Sequence, residues 1–166
     1  MLHHRHQTTF SGCTYHALYA LSGEELLLAH VHDVSEPRFY ARIHELGLMA
    51  VALYVGEPAP PAFWTRLHEG EQQFLVSIPA RRLGEIQHAV ALELTPGHWA
   101  TVSDSRERQL LHFTWDQFLA SEYAQPHRVE VIAPAVVEAY PFEDGHGLVV
   151  HALARDRPDP FPDLTL

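Results

Sequence analysis

The chain reads as a single α+β domain, with helices first and a sheet after. Three observations predict this. Helical spacing and helix punctuation fill residues 13–47, and strand-like runs dominate from 74 onward. The 166 residues suit one domain with a proper core. Hydrophobic residues make up 46% and charged residues 19%, which reads as globular and not disordered. No internal repeat or linker divides the chain, so one domain is expected over 1–154, followed by a Pro- and Asp-rich tail over 155–166.

Residues 1–12 are polar, rich in His, and read as extended. From Cys13 the spacing of Leu18 and Leu21 predicts a helix, broken near Ser22-Gly23. Glu24 to His30 is a second short helix. Ser35-Glu36-Pro37 supplies an N-cap, an acid and a first-turn proline for a third, which runs to Leu46 and stops at Gly47. Leu48 to Val55 is continuously apolar and predicts a buried strand. "GEPAPP" is a loop, and Ala62 to His68 a short helix ended by Gly70. Strands follow at Phe74–Ile78, Ile86–Leu94 and His98–Ser103, the last two joined by a hairpin turn at Thr95-Pro96-Gly97. Leu110–Phe113 pairs next, before a short helix at Trp115–Ser121. Arg128–Ala133, Val136–Tyr140 and Leu148–Leu153 complete the strands.

Composition excludes several functions. No run of eighteen apolar residues is present, so no membrane span is expected. The net charge of -10 argues against nucleic acid, whose phosphates need a basic stripe. The first residues hold no apolar signal core, and a single cysteine allows no internal disulfide. Both point to the cytoplasm. The chain has neither Lys nor Asn, which matches a GC-rich bacterial genome.

Four residues carry chemistry. Gln7 stands six positions before Cys13, the only cysteine; His88 opens one strand and Asp104 closes the next, sixteen positions on. A cysteine attacks as thiolate. A histidine takes its proton and returns it to the leaving group. An aspartate holds the imidazole in the useful tautomer. A Gln amide can donate to an oxyanion beside the cysteine's own N–H. With no Asn in the chain, the third triad position falls to an acid. A hairpin turning at 95–97 places residue 88 opposite about 104, within a residue or two, so His88 and Asp104 become cross-strand neighbours.

Rival readings are weaker. Cys13 alone could be a small buried hydrophobe. His98 sits at the hairpin tip, and His16 one turn along the Cys helix. Asp104 could be a plain turn residue, and Asp116 reads as a dipole-complementing acid. His3, His4, His6, His30 and His32 offer imidazoles, but no second cysteine or HExxH helix accompanies them, so a native metal is not expected. Arg81-Arg82 could clamp an anion but read as a solvated loop, and Trp99, Trp115 and Phe118 as core or cleft wall.

The stretch "QTTFSGCTYHALYAL" resembles the start of a papain-like cysteine peptidase. "HAVALELTPGHWATVSDSRERQLLHFTWDQFLASEY" is similar to the second half of the bacteriocin-processing (double-glycine leader) peptidases and their stand-alone relatives. The resemblance covers roughly Gln7 to Ile132. It implies a papain-like fold, with N-terminal helices carrying the Cys on an antiparallel sheet carrying His and Asp. It also implies a peptidase acting through Cys13, His88 and Asp104, with Gln7 at the oxyanion, a peptide or protein substrate and no cofactor. The chain departs from that pattern at three points. Gly12 precedes the cysteine where the family has Gly after it; Ser105 follows Asp104 where the family has Pro; and Gln87 precedes His88. Two other classes stay open: glutamine deamidation or transamidation by the same residues, and a binding module that kept the fold and lost the chemistry.

Overall fold

A computed structural model describes residues 1–9, 11–33, 36–67, 72–80, 87–97, 99–134, 136–141 and 148–153. The expected N-cap Ser35, the stop at Gly70, Arg81-Arg82, Ile86, His98 and the tail 155–166 lie outside them.

Helix α1, Cys13–Ser22, runs between two glycines in the left-handed region, Gly12 (φ 97°) and Gly23 (φ 76°). Its apolar face buries Tyr15, Ala17, Leu18 and Ala20. The expected second helix is a 3-10 helix, Glu25–His30. Helix α2, Glu36–Glu45, buries Phe39 and Ile43, four residues apart on one face. Gly47 (φ 70°) ends the turn that follows.

Strands β1 (Leu48–Val55), β2 (Gln72–Pro79), β3 (Gln87–Thr95), β4 (Trp99–Ser103), β5 (Leu111–Thr114) and β6 (Arg128–Pro134) form one six-stranded antiparallel sheet in the order β1-β6-β2-β3-β4-β5. Between β1 and β2 lies α3, Pro61–Leu67; between β5 and β6 lie α4, Trp115–Leu119, and a 3-10 turn, Glu122–Ala124. Strands β7 (Val136–Pro141) and β8 (Leu148–Leu153) pair with each other in a separate two-stranded sheet.

Both faces of the main sheet are covered, and strand parity decides which residue goes where. On one face Phe74, Val76 and Ile78 of β2 and Val90, Leu92 and Leu94 of β3 pack with Trp64, Phe118 and Tyr123. On the other, Leu75, Ala89 and Ala91 meet Leu18, Leu27, Phe39 and Ile43 of the helical layer. The short side chains of Ala89 and Ala91 let α1 lie close on β3. Trp64 closes the first core, its ring N–H donating to the Ala124 carbonyl at 2.8 Å.

Two expectations are corrected. The apolar run 48–55 predicts a buried strand, yet β1 is only half-buried because it lies at the sheet edge. Helix α4 stops at Leu119 and not at Ser121, a single turn held by a capping box between Thr114 and Gln117.

Candidate active site

The site forms where α1 begins, β3 begins and β4 ends. Cys13 is the first residue of α1, partly exposed, with the unpaired first-turn N–H groups of the helix beneath it. Gly12 puts it there. A Cβ on Gly12 would lie 2.5 Å from the Val31 carbonyl oxygen and 2.6 Å from the Val31 Cβ. Only a residue without a side chain can turn the chain left-handed in that space.

His88 stands at the second position of β3 and Asp104 directly after β4. Both are fully buried. The observed hairpin pairs Thr95 with Trp99 and Ala91 with Ser103, so its register is shifted by two from the expected one. A shift of two keeps every side chain on its face, where a shift of one would not. His88 and Asp104 therefore still meet: Nε2–H of His88 donates to Asp104 Oδ1 at 2.7 Å. That bond fixes the tautomer and leaves Nδ1 free to accept a proton. Nδ1 is buried and makes no hydrogen bond of ordinary geometry. Its partner in titration is the Cys13 thiol.

The thiol and the imidazole shift each other in opposite directions. Burial pushes the Cys13 thiol up, but the His88 ring, the Ala89 N–H and the Thr14 hydroxyl together hold it below its ordinary 9.0. The Ala89 N–H donates to the sulfur at 3.5 Å. Burial pushes His88 down, but Asp104 and the sulfur raise it above 6.5. A lowered thiol beside a raised imidazole is the condition for a thiolate–imidazolium pair.

Asp104 is held from every side. Oδ1 also accepts the Arg106 N–H at 2.9 Å, and Oδ2 accepts the Tyr123 hydroxyl at 3.0 Å. Burial alone would raise its pKa; the His88 bond and charge, the Arg106 N–H and Tyr123 bring it down to about 2. The folded value lies below the ordinary 3.8, so this carboxylate stabilises the fold above pH 3.8. The contribution, about 2 kcal/mol, is lost as pH falls from there through 2. Tyr123→Phe is expected to cost roughly 2 kcal/mol and to move the acid unfolding midpoint to higher pH, read by circular dichroism. An unchanged midpoint would mean that Tyr123 does not hold this carboxylate.

No protein-family model matches the chain, and no curated protein matches it. The functional reading therefore rests on the residues and their geometry.

Gln7 lies in the segment that leads to Cys13, but its amide is engaged. Nε2 donates to the carbonyls of Thr9 (2.7 Å) and Ser11 (2.8 Å), and Oε1 accepts from the Ser105 hydroxyl at 2.7 Å. Both amide hydrogens are in use, so donation to an oxyanion would require one to let go. The rivals are placed elsewhere. His16 is buried on α1, with its pKa lowered first by burial and then by the charges of Arg5, His4 and His6, against a raising bond to the Arg5 backbone. Asp116 is exposed in the first turn of α4. Trp99 is half-exposed at the hairpin end, and Phe118 is core.

The His-rich start has a role that its composition does not suggest. His4 donates through Nε2–H to the Glu107 carbonyl (3.2 Å) and bonds the Ser103 hydroxyl through Nδ1 (2.8 Å); His6 reaches the same carbonyl at 3.0 Å. These imidazoles strap residues 3–7 across the turn that carries Asp104. Among the described residues no group of three or more His, Cys, Asp or Glu is placed to hold a metal ion, and no helix is long and apolar enough to cross a membrane.

Sequence reasoning missed Tyr123 and Ser105. Tyr123 sits nineteen residues from Asp104, in a 3-10 turn with no local chemical signal. Ser105 had one: it replaces the Pro of the resembling family, and a hydroxyl there has a use.

Proposed function

We propose that this chain is a papain-like cysteine peptidase, hydrolysing a peptide or amide bond through Cys13, His88 and Asp104. The observation that carries the reading is the buried His88–Asp104 pair, with His88 Nδ1 left over beside a thiol whose pKa the ring lowers. The Cys13 thiolate attacks the carbonyl carbon, and the oxyanion that forms lies by the Cys13 N–H at the start of α1. His88, protonated at Nδ1, gives its proton to the leaving amine as the C–N bond breaks. A water then loses a proton to His88 and cleaves the thioester, releasing the acid and restoring the thiol. Asp104 holds the ring and stabilises its charged form. No cofactor enters this scheme. A reducing compartment such as the cytoplasm would keep the thiol free.

The test is digestion of a defined peptide mixture, read by mass spectrometry, with Cys13→Ala as control. The proposal expects new peptide termini with the wild-type chain and none with the variant. Mass gain at glutamine without new termini would replace it with deamidation. No change of any kind would leave a binding module.

A further inference from the structure

We infer that Gln7 and Ser105 form a clasp that sets the distance between the cysteine and the His–Asp pair, so that Gln7 is a positioning residue. The inference rests on the thiol-hydrolase reading and adds a residue pair to it. Cys13 arrives on the N-terminal segment and α1. Asp104 arrives on a separate part of the chain, at the end of β4. The two must be held in register, and the backbone gives one link and the side chains another. The Gln7 N–H donates to the Ser105 carbonyl at 2.6 Å, and the Ser105 hydroxyl donates to Gln7 Oε1 at 2.7 Å. This double contact anchors Gln7 to the residue next to Asp104.

The other end of the same amide reaches toward the cysteine. Nε2 holds the carbonyls of Thr9 and Ser11, which fixes the turn just before Gly12 and Cys13. Ser11 is fixed again by its hydroxyl on the Val31 carbonyl at 3.1 Å. One amide group thus ties the Asp104 turn to the cysteine turn, with both N–H donors used and the oxygen engaged. Ser105 is buried, so water does not compete for its hydroxyl. An oxyanion donor needs a free N–H aimed at the substrate; this side chain offers none.

Alkylation by iodoacetamide separates the two roles. The thiolate displaces iodide, the S–C bond forming as the C–I bond breaks, and no oxyanion arises. An oxyanion donor is therefore silent in this reaction. A clasp is not, because the thiol pKa depends on where His88 stands. The experiment measures the pH–rate profile of Cys13 alkylation in wild type, Gln7→Ala, Ser105→Ala, the double variant and Ser105→Thr, with thermal melts to verify folding. Tyr40→Phe, which removes a bond to Glu130 on β6 and touches neither Gln7 nor Ser105, controls for lost stability alone.

Both single variants are expected to move the profile to higher pH. A midpoint higher by about one pH unit lowers the rate at pH 6 roughly tenfold. The double variant should be no worse than either single one, Ser105→Thr should retain the wild-type profile, and Tyr40→Phe should leave it unmoved. A lowered wild-type profile that neither single variant changes would overturn the clasp alone. So would a change with Gln7→Ala but not Ser105→Ala, or two changes that add. A wild-type profile that already coincides with that of His88→Ala would overturn the hydrolase reading, and the clasp with it.

Discussion

Gly12→Ala is expected to destabilise the fold by about 2–5 kcal/mol and to remove the reactivity of Cys13. Two costs add. The left-handed conformation at φ 97° costs a residue with a Cβ roughly 1–2 kcal/mol. The added Cβ also meets Val31 at 2.5 Å from its carbonyl oxygen, 2.6 Å from its Cβ and 2.8 Å from its Cα. Two of those atoms are backbone, so no side-chain rotation relieves the clash. Either Val31 moves, which disturbs the segment after the 3-10 helix, or residue 12 leaves the left-handed region and α1 starts elsewhere. Both displace the sulfur from His88. Domains of this size hold only about 5–15 kcal/mol in total, so a large share is at stake. Urea unfolding gives the stability and alkylation at pH 6 the reactivity. A variant equal to wild type in both would show that the turn before Cys13 is not fixed by Val31.

Asp104→Asn is expected to preserve the fold and reduce hydrolysis by a factor on the order of a hundred to ten thousand. An amide can occupy the carboxylate's place: its oxygen can accept from the His88 Nε2–H and the Arg106 N–H, and its NH2 can donate to the Tyr123 oxygen. What it cannot supply is the negative charge. Without that charge the imidazolium is less stable, the His88 pKa falls, and the thiol pKa rises with it. The sign of the pH effect follows. His88 is raised above 6.5 in the wild type, so its charged form stabilises the fold below that pH, and the contribution fades as pH climbs through the raised value. In Asp104→Asn this alkaline loss should disappear, together with the stabilisation that Asp104 gives above pH 3.8. Steady-state hydrolysis and stability curves from pH 2 to 9 measure both. Retained activity with an unchanged profile would remove Asp104 from the mechanism.

Much of this site is legible in the sequence because its pieces obey local rules. Gly23 ends α1 as its place after Ser22 predicts, and an apolar run opened by His88 marks β3. A turn at 95–97 brings residues 88 and 104 together even though the real pairing is two residues off. Side-chain parity absorbs that error. The edge position of β1 was not legible, because an apolar run does not say which strands will flank it. The later strand β6 enters the sheet between β1 and β2 and leaves β1 outside.

The partners of Gln7 were not legible either. They lie at Ser105, ninety-eight residues away, and in carbonyls of its own loop, and no spacing rule announces such contacts. The same holds for Tyr123, which reaches Asp104 only after α4 and the 3-10 turn are folded against β4. The imidazoles of His4 and His6 suggest metal by composition. They serve as donors to one carbonyl, a use that only the docked segment reveals.

The central claim is that His88 makes a thiolate of Cys13. The most direct measurement is the pH dependence of iodoacetamide alkylation in wild type and His88→Ala, followed by intact mass. The account predicts fast labelling of wild type well below pH 8, and in His88→Ala a profile displaced toward that of an ordinary thiol. Identical profiles in the two proteins would contradict it.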